Sequence, residues 1–275
     1  MTANNIAISI PYKGCDKKCP YCVSLMTGFV ETNSDLFVHN IRKARYMAIT
    51  SGVSSVSITG KGEPLLNKKM VLHVARQFYE FPIEVQTNGG LLRREVKKEN
   101  FEFIEELCRE IDIFAISCDT LEEVFESKKL IKAIHNNYKK VRITFNVTDL
   151  VMNNSFDFFL ETMKSLKIDQ FSFRKITKAN HTEKTDVHRW IDEHGGHDVY
   201  ERLIDESKKY IIENNCQKIR NLSYGAVLYD IEGMSYTYFD YCIQDTSNEG
   251  DVRSLIYQED GHLYTTWNSP ASIVF

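Results

Sequence analysis

The chain has 275 residues, 43% of them hydrophobic, and a formal net charge of −4, enough apolar material for a large core. A basic tail or a basic balance is absent, which argues against general nucleic-acid binding. No apolar run reaches the roughly 18–20 residues that cross a bilayer, and "MTANNIAISIPYKGCD" lacks the basic and long apolar regions of a secretory signal, so a cytoplasmic location is expected.

In chain order, the first strand is predicted over "IAISIPY" (6–12), running straight into the loop "YKGCDKKCPYCVS". A helix over "SDLFVHNIRKARYMAITSG" puts Phe37, Ile41, Ala44 and Ala48 on one face and stops at Gly52. The strand "VSSVSIT" (53–59) leads into "GKGEP", and a helix over "NKKMVLHVARQFYEF" aligns Met70, Val74 and Phe78. The strand "IEVQT" (83–87) ends on "TNGG". Phe101, Ile104, Cys108 and Ile111 share an apolar helix face before the strand "IFAISCD" (113–119). "TLEEVFESKKLIKAIHNN" opens on Thr120 with Glu123 three residues later, the spacing of a capping box. The strand "VRITFNV" (141–147) is followed by a helix from Ser155 that aligns Phe159, Met163 and Leu166, and "FSFRKIT" (171–177) is the sixth strand.

After a first gap of 47 residues these strands start about 30 apart, the length of one βα unit. The predicted fold is therefore α/β: a partial (β/α)6 parallel barrel over 1–177, with a C-terminal α+β cap over 178–275. The cap is read as a polar, His-containing loop to about 197, a helix, and two hairpins turning at Glu232-Gly233 and Asp260-Gly261. Its Tyr229, Tyr236, Tyr238, Tyr257 and Trp267 could stack on a substrate ring or pack across strands.

In such barrels chemistry sits at the C-terminal ends of the strands. Cys15, Cys19 and Cys22 follow strand one, Gly62, Glu63 and Pro64 strand two, and Asn88 strand three. Ser117 lies in strand four, Asn146 ends strand five and Arg174 lies in strand six. The seven cysteines are an odd number, expected to be free, metal-bound or catalytic rather than paired. Three soft thiolates on one short loop suit an iron–sulfur cluster, zinc or copper(I). A structural zinc site wants a fourth ligand, and no second CxxC or HxxxH pair supplies one. A four-iron cube held by three cysteines keeps one iron open.

The stretch "CDKKCPYC", with its C-x3-C-x2-C spacing and an aromatic residue before the third Cys, resembles the cluster loop of the radical S-adenosylmethionine (SAM) superfamily. The resemblance implies that Cys15, Cys19 and Cys22 hold a [4Fe–4S] cluster whose open iron chelates SAM. "TGKGEPLLN" is similar to the family's Gly-Gly-Glu-Pro motif, with Lys61 in place of the first glycine. It assigns Gly62, Glu63 and Pro64 to the methionyl amino group. Asn88, Ser117, Asn146 and Arg174 fall where the family contacts the rest of SAM. The tail around Arg253, Leu255, Asp260 and Gly261 loosely resembles the C-terminal segment of molybdenum-cofactor-type members, without their extra cysteines. The expected activity is reductive cleavage of SAM to a 5′-deoxyadenosyl radical that abstracts hydrogen from a small, nucleotide-like substrate, with a flavodoxin or ferredoxin as electron donor. Two alternatives stand beside it: modification of a peptide or protein partner, and a non-catalytic zinc or redox-sensing protein. Cys216, Cys242 and the His181–His197 loop carry no assigned metal role.

Overall fold

The computed structural model describes residues 1–28, 31–178, 185–222, 226–239, 251–267 and 269–275. Cys242 and His181 lie outside them. The strands are β1 (Thr2–Ser9), β2 (Val56–Thr59), β3 (Ile83–Thr87), β4 (Ile113–Cys118), β5 (Lys140–Val147), β6 (Gln170–Lys175), β7 (Gln217–Asn221), β8 (Val227–Ile231), β9 (Met234–Phe239), β10 (Asp251–Tyr257) and β11 (Leu263–Tyr264). The helices are α1 (Val23–Thr27), α2 (Ser34–Thr50), α3 (Lys68–Gln77), α4 (Gly90–Lys97), α5 (Phe101–Cys108), α6 (Leu121–Glu126), α7 (Lys128–Asn136), α8 (Phe156–Ser165), α9 (Asp186–His194) and α10 (His197–Glu213).

All six predicted strands are present, parallel and side by side in chain order. Their side chains alternate with period 2. Ile6, Ile8, Val56, Ile58, Val85, Phe114, Ile143, Phe145 and Phe173 are buried in the main core. On the opposite face stand Ser57, Gln86, Ser117, Arg142, Thr144 and Ser172, which line a single cavity together with residues of β8, β9 and β10. Strands from so much of one sheet can wall a common space only if the sheet curls around it. The helices bury the faces read from their periodicity: Phe37, Ile41, Ala44 and Ala48 on α2, and Phe159 and Met163 on α8. Ser155 caps α8 by accepting from the Phe158 N–H at 3.3 Å.

The C-terminal third joins the same sheet. Among the described residues the order is β11-β10-β1-β2-β3-β4-β5-β6-β9-β8-β7, so β1 and β6 do not pair with each other. β10 lies parallel to β1 and β9 parallel to β6. Both predicted hairpins form, but each also extends an edge of the sheet. Tyr236 and Tyr257 are fully buried, and the Tyr257 hydroxyl donates to the Phe37 carbonyl at 2.6 Å. These two tyrosines therefore pack the core rather than offer a stacking face.

The predicted loop to 197 is interrupted by α9, because Val187, Trp190 and Ile191 form an i, i+3, i+4 apolar face. Thr185 and His188 cap it reciprocally. Val187 and Ile191 pack on Met26 of α1 and on Ile176, with Tyr21 and Trp190 at the rim. The long helix predicted from Thr120 is split at Ser127 into α6 and α7. No helix of the described residues is long and apolar enough to cross a membrane.

Candidate active site

The cysteine loop leaves β1 at Ser9 and ends where Cys22 precedes α1. All ten residues singled out from the sequence line one cavity of about 240 Å³: Cys15, Cys19, Cys22, Gly62, Glu63, Pro64, Asn88, Ser117, Asn146 and Arg174. Cys15 is exposed, and Cys19 and Cys22 are half-buried. Burial raises the Cys15 thiol, and burial followed by the Asp119 charge pushes Cys19 up to about 11. Thiols held this way give up their protons when a metal takes them. Among the described residues no three His, Cys, Asp or Glu side chains converge on a single ion. A cluster makes no such demand, since each thiolate goes to its own iron, and the donor set of three thiols on one open loop fits it.

Side-chain contacts on two sides fix this loop. Tyr21, just before Cys22, donates its hydroxyl to Asp119, and the Asn146 amide donates to both, at 3.2 Å each. Lys17 bridges Asp119 at 2.9 Å and Glu123 at 2.7 Å. Burial alone would lower the Lys17 ammonium, but these two carboxylates raise it. The capping box at Thr120 is thus only half formed: Glu123 accepts from the Asp119 N–H at 2.7 Å and keeps its other oxygen for Lys17. On the opposite side Asn88 donates to Asp16 at 2.7 Å and lies 3.8 Å from the Cys15 Sγ, and Arg94 pairs with Asp16 at 2.6 Å.

Glu63 is 4% exposed and caps the turn Pro64–Asn67. Its carboxylate accepts from the Thr87 hydroxyl at 2.7 Å, the Asn88 N–H at 2.8 Å and the Leu65 N–H at 3.1 Å. It therefore ties the end of β2 to the end of β3, and burial raises its pKa against those donors. Lys61 sends its ammonium to Thr27 at 3.0 Å and to the Gly28 carbonyl at 3.2 Å, bracing α1. Burial lowers the Lys61 ammonium.

Gly62 is where the strand-two motif touches the cysteine loop. A Cβ there would collide with the Gly14 carbonyl oxygen and the Tyr12 ring, whereas at Gly60 the nearest atom, the Ile10 oxygen, is 3.6 Å away. Gly62→Ala is expected to cost about 1–3 kcal/mol and to lower the iron bound after reconstitution. Gly60→Ala should leave both near wild type. Denaturant midpoints and iron content of the two variants check this.

The reading missed Glu259. It lies just past β10 and is 1% exposed, and it gathers donors from three segments: Ser9 and Tyr12, Thr32, and the Lys61 N–H. "YQEDGHL" reads locally as a turn, and only the pairing of β10 with β1 brings Glu259 to the cysteine loop. Among the described residues the other thiols do not line this cavity: Cys108 and Cys118 are buried and free, and Cys216 is half-buried and free. His194 pairs with Asp149 at 2.7 Å, and His197 begins α10.

A family model described as the Radical SAM superfamily matches residues 9–167. The GTP 3′,8-cyclase of Clostridium acetobutylicum is 26% identical over 157 residues, covering 51% of this chain and 48% of the cyclase. The chain spans about half the length of the curated relatives it matches. Among solved structures, Streptococcus suis SuiB bound to S-adenosylmethionine superposes with a TM-score of 0.57 at 17% identity, over 97% of this chain and 58% of SuiB. SuiB bound to its precursor peptide SuiA gives 0.58 at 17% identity, over 96% and 59%. These likenesses establish a shared fold.

Proposed function

The chain belongs to the radical SAM superfamily, and on that premise we propose that Cys15, Cys19 and Cys22 hold a [4Fe–4S] cluster at the mouth of the curled sheet. The observation that carries the reading is the convergence of the three thiols with Glu63, Asn88, Ser117, Asn146 and Arg174 on one cavity wall. The chemistry such a cluster supplies is one-electron cleavage of SAM to a 5′-deoxyadenosyl radical that takes a hydrogen atom from the substrate. A flavodoxin- or ferredoxin-type protein is the proposed electron donor.

The chain's own part is binding, orientation and exclusion of water. Tyr21, Lys17 and Asp16 hold the thiols against the strand ends. Gly62 allows the second strand end to approach the loop, and the backbone around Gly62, Glu63 and Pro64 is assigned to the methionyl amino group. Arg174, whose guanidinium makes no hydrogen bond or ion pair among the described residues, is assigned to the methionyl carboxylate. Ser117 and Asn146 are assigned to the remaining polar groups of SAM. α9, packed on α1, shields the loop from the far side.

Modification of a peptide or protein partner is the second reading. β7 ends the sheet order and is exposed along its whole length, an edge to which an extended chain could add. Lys218 and the register shift that follows it are features by which sheets blunt such edges. The small-molecule reading is therefore preferred.

The test is anaerobic purification, reconstitution with iron and sulfide, and incubation with SAM and dithionite. Cysteine-dependent release of 5′-deoxyadenosine is the expected result. A colourless protein carrying one zinc would overturn the proposal.

A further inference from the structure

Deeper in the curled sheet lies a second cavity, of about 370 Å³. Barrel interiors are ordinarily filled by branched aliphatic side chains. Here the inward positions carry Asn5, Ser57, Gln86, Thr144 and Ser172, and the space stays open. Among the described residues its charge is one-sided: Arg142, Arg174, Arg253 and, at the exposed rim, Arg220 line it beside one carboxylate, Glu84.

Arg142 is engaged, paired with Glu84 and donating to Gln170 at 2.7 Å. The Arg174 and Arg220 guanidinium groups make no hydrogen bond or ion pair among the described residues. The Asn5 Oδ1 and the Ser57 Oγ are buried in the same wall, also without a hydrogen-bond partner among the described residues. Like charges gathered in a walled cleft raise its potential and draw in anions. Guanidinium groups match carboxylate and phosphate oxygens in particular. Gln86, Ser117 and Arg174 line both this cavity and the cysteine cavity, so a molecule bound here would lie next to the proposed SAM site. The volume suits a small ligand.

Resting on the radical SAM reading of the neighbouring cavity, we infer that this is the substrate site. It takes a small molecule with at least two negative charges, carried by phosphate or carboxylate groups.

The test reads binding and needs no turnover. Reconstituted protein is titrated by calorimetry with inorganic phosphate and, separately, with glutarate, and again at raised salt. At least one probe is expected to bind, more weakly as salt rises. Affinity should fall about tenfold in the Arg220→Gln variant, which leaves Arg174, assigned to SAM, in place. The tighter probe identifies phosphate or carboxylate. Arg220→Lys, which keeps the charge but not the planar fork, should lose less than Arg220→Gln, which separates lost recognition from a lost fold. If neither probe binds, or binding is unchanged in Arg220→Gln, the inference is overturned. Tighter binding of a triglutamate peptide than of both probes overturns it in favour of an acidic peptide. Deoxyadenosine release from the same preparation judges the radical reading separately: release without anion binding removes only the substrate inference. Anion binding by a colourless zinc protein keeps the anion site and removes the radical reading.

Discussion

A Cys19→Ala protein, reconstituted with iron and sulfide, is expected to release no 5′-deoxyadenosine above a protein-free background while staying folded. Cys19 is the half-buried middle thiol of the loop, and its pKa of about 11 follows from burial and the Asp119 charge. Such a thiol serves as a ligand only when a metal draws off its proton, so its loss removes one of the three proposed cluster ligands outright. The loop itself does not hang on Cys19. Tyr21 and Asn146 on Asp119, Lys17 on Glu123, and Asn88 on Asp16 all remain. The unfolding midpoint of the metal-free variant should therefore stay close to wild type. The contrasting control is Cys108→Ala. Cys108 is 3% exposed in the core, so that variant should lose about 1 kcal/mol of stability and keep its release. Equal release by Cys19→Ala and wild type would remove Cys19 from the site.

Glu259→Ala is expected to destabilise the protein by about 3 kcal/mol or more and to lower cluster loading with it. Oε1 accepts from the Ser9 hydroxyl at 3.1 Å and the Lys61 N–H at 3.4 Å. Oε2 accepts from the Tyr12 N–H at 3.0 Å and the Thr32 hydroxyl at 3.1 Å. The backbone carbonyl of Glu259 receives the Asn33 N–H at 3.0 Å. Truncation leaves two backbone donors and two hydroxyls without the carboxylate, each at a cost of about 1–3 kcal/mol where no partner replaces it. The hydroxyls can turn to new partners, but the fixed N–H groups of Tyr12 and Lys61 cannot. Glu259→Gln keeps the shape and one carbonyl oxygen but turns an NH2 toward donors, so its loss should be smaller. Denaturant unfolding of the metal-free proteins and iron content after reconstitution measure both effects. A Glu259→Ala protein as stable as wild type would show that Glu259 does not hold the loop.

Much of this molecule is readable locally. A strand shows itself by period-2 alternation and a helix by its apolar stripe, and both lie within a dozen residues. That is why "IEVQT" coincides with β3, and why Phe37, Ile41, Ala44 and Ala48 are the buried face of α2. Parallel order then follows from the regular βα spacing. Because loops after parallel strands collect at one end, residues as far apart in sequence as Cys15 and Arg174 could be assigned to one place before any coordinates.

The tertiary structure decided the rest, where partners are distant and the local signal is ambiguous. β10 and β9 alternate like any hairpin strands. Nothing within them states that one would take the edge beside β1 and the other the edge beside β6. Glu259 reads as part of a turn until that pairing sets it 250 positions away in sequence, against Ser9. Arg142, Arg220 and Arg253 look like scattered surface cations until the curl of the sheet turns them into one cavity. The physical reason is the same each time. Backbone preference and periodicity are properties of neighbours in the chain, whereas a buried carboxylate or a shared charge is a property of whatever the fold places around it.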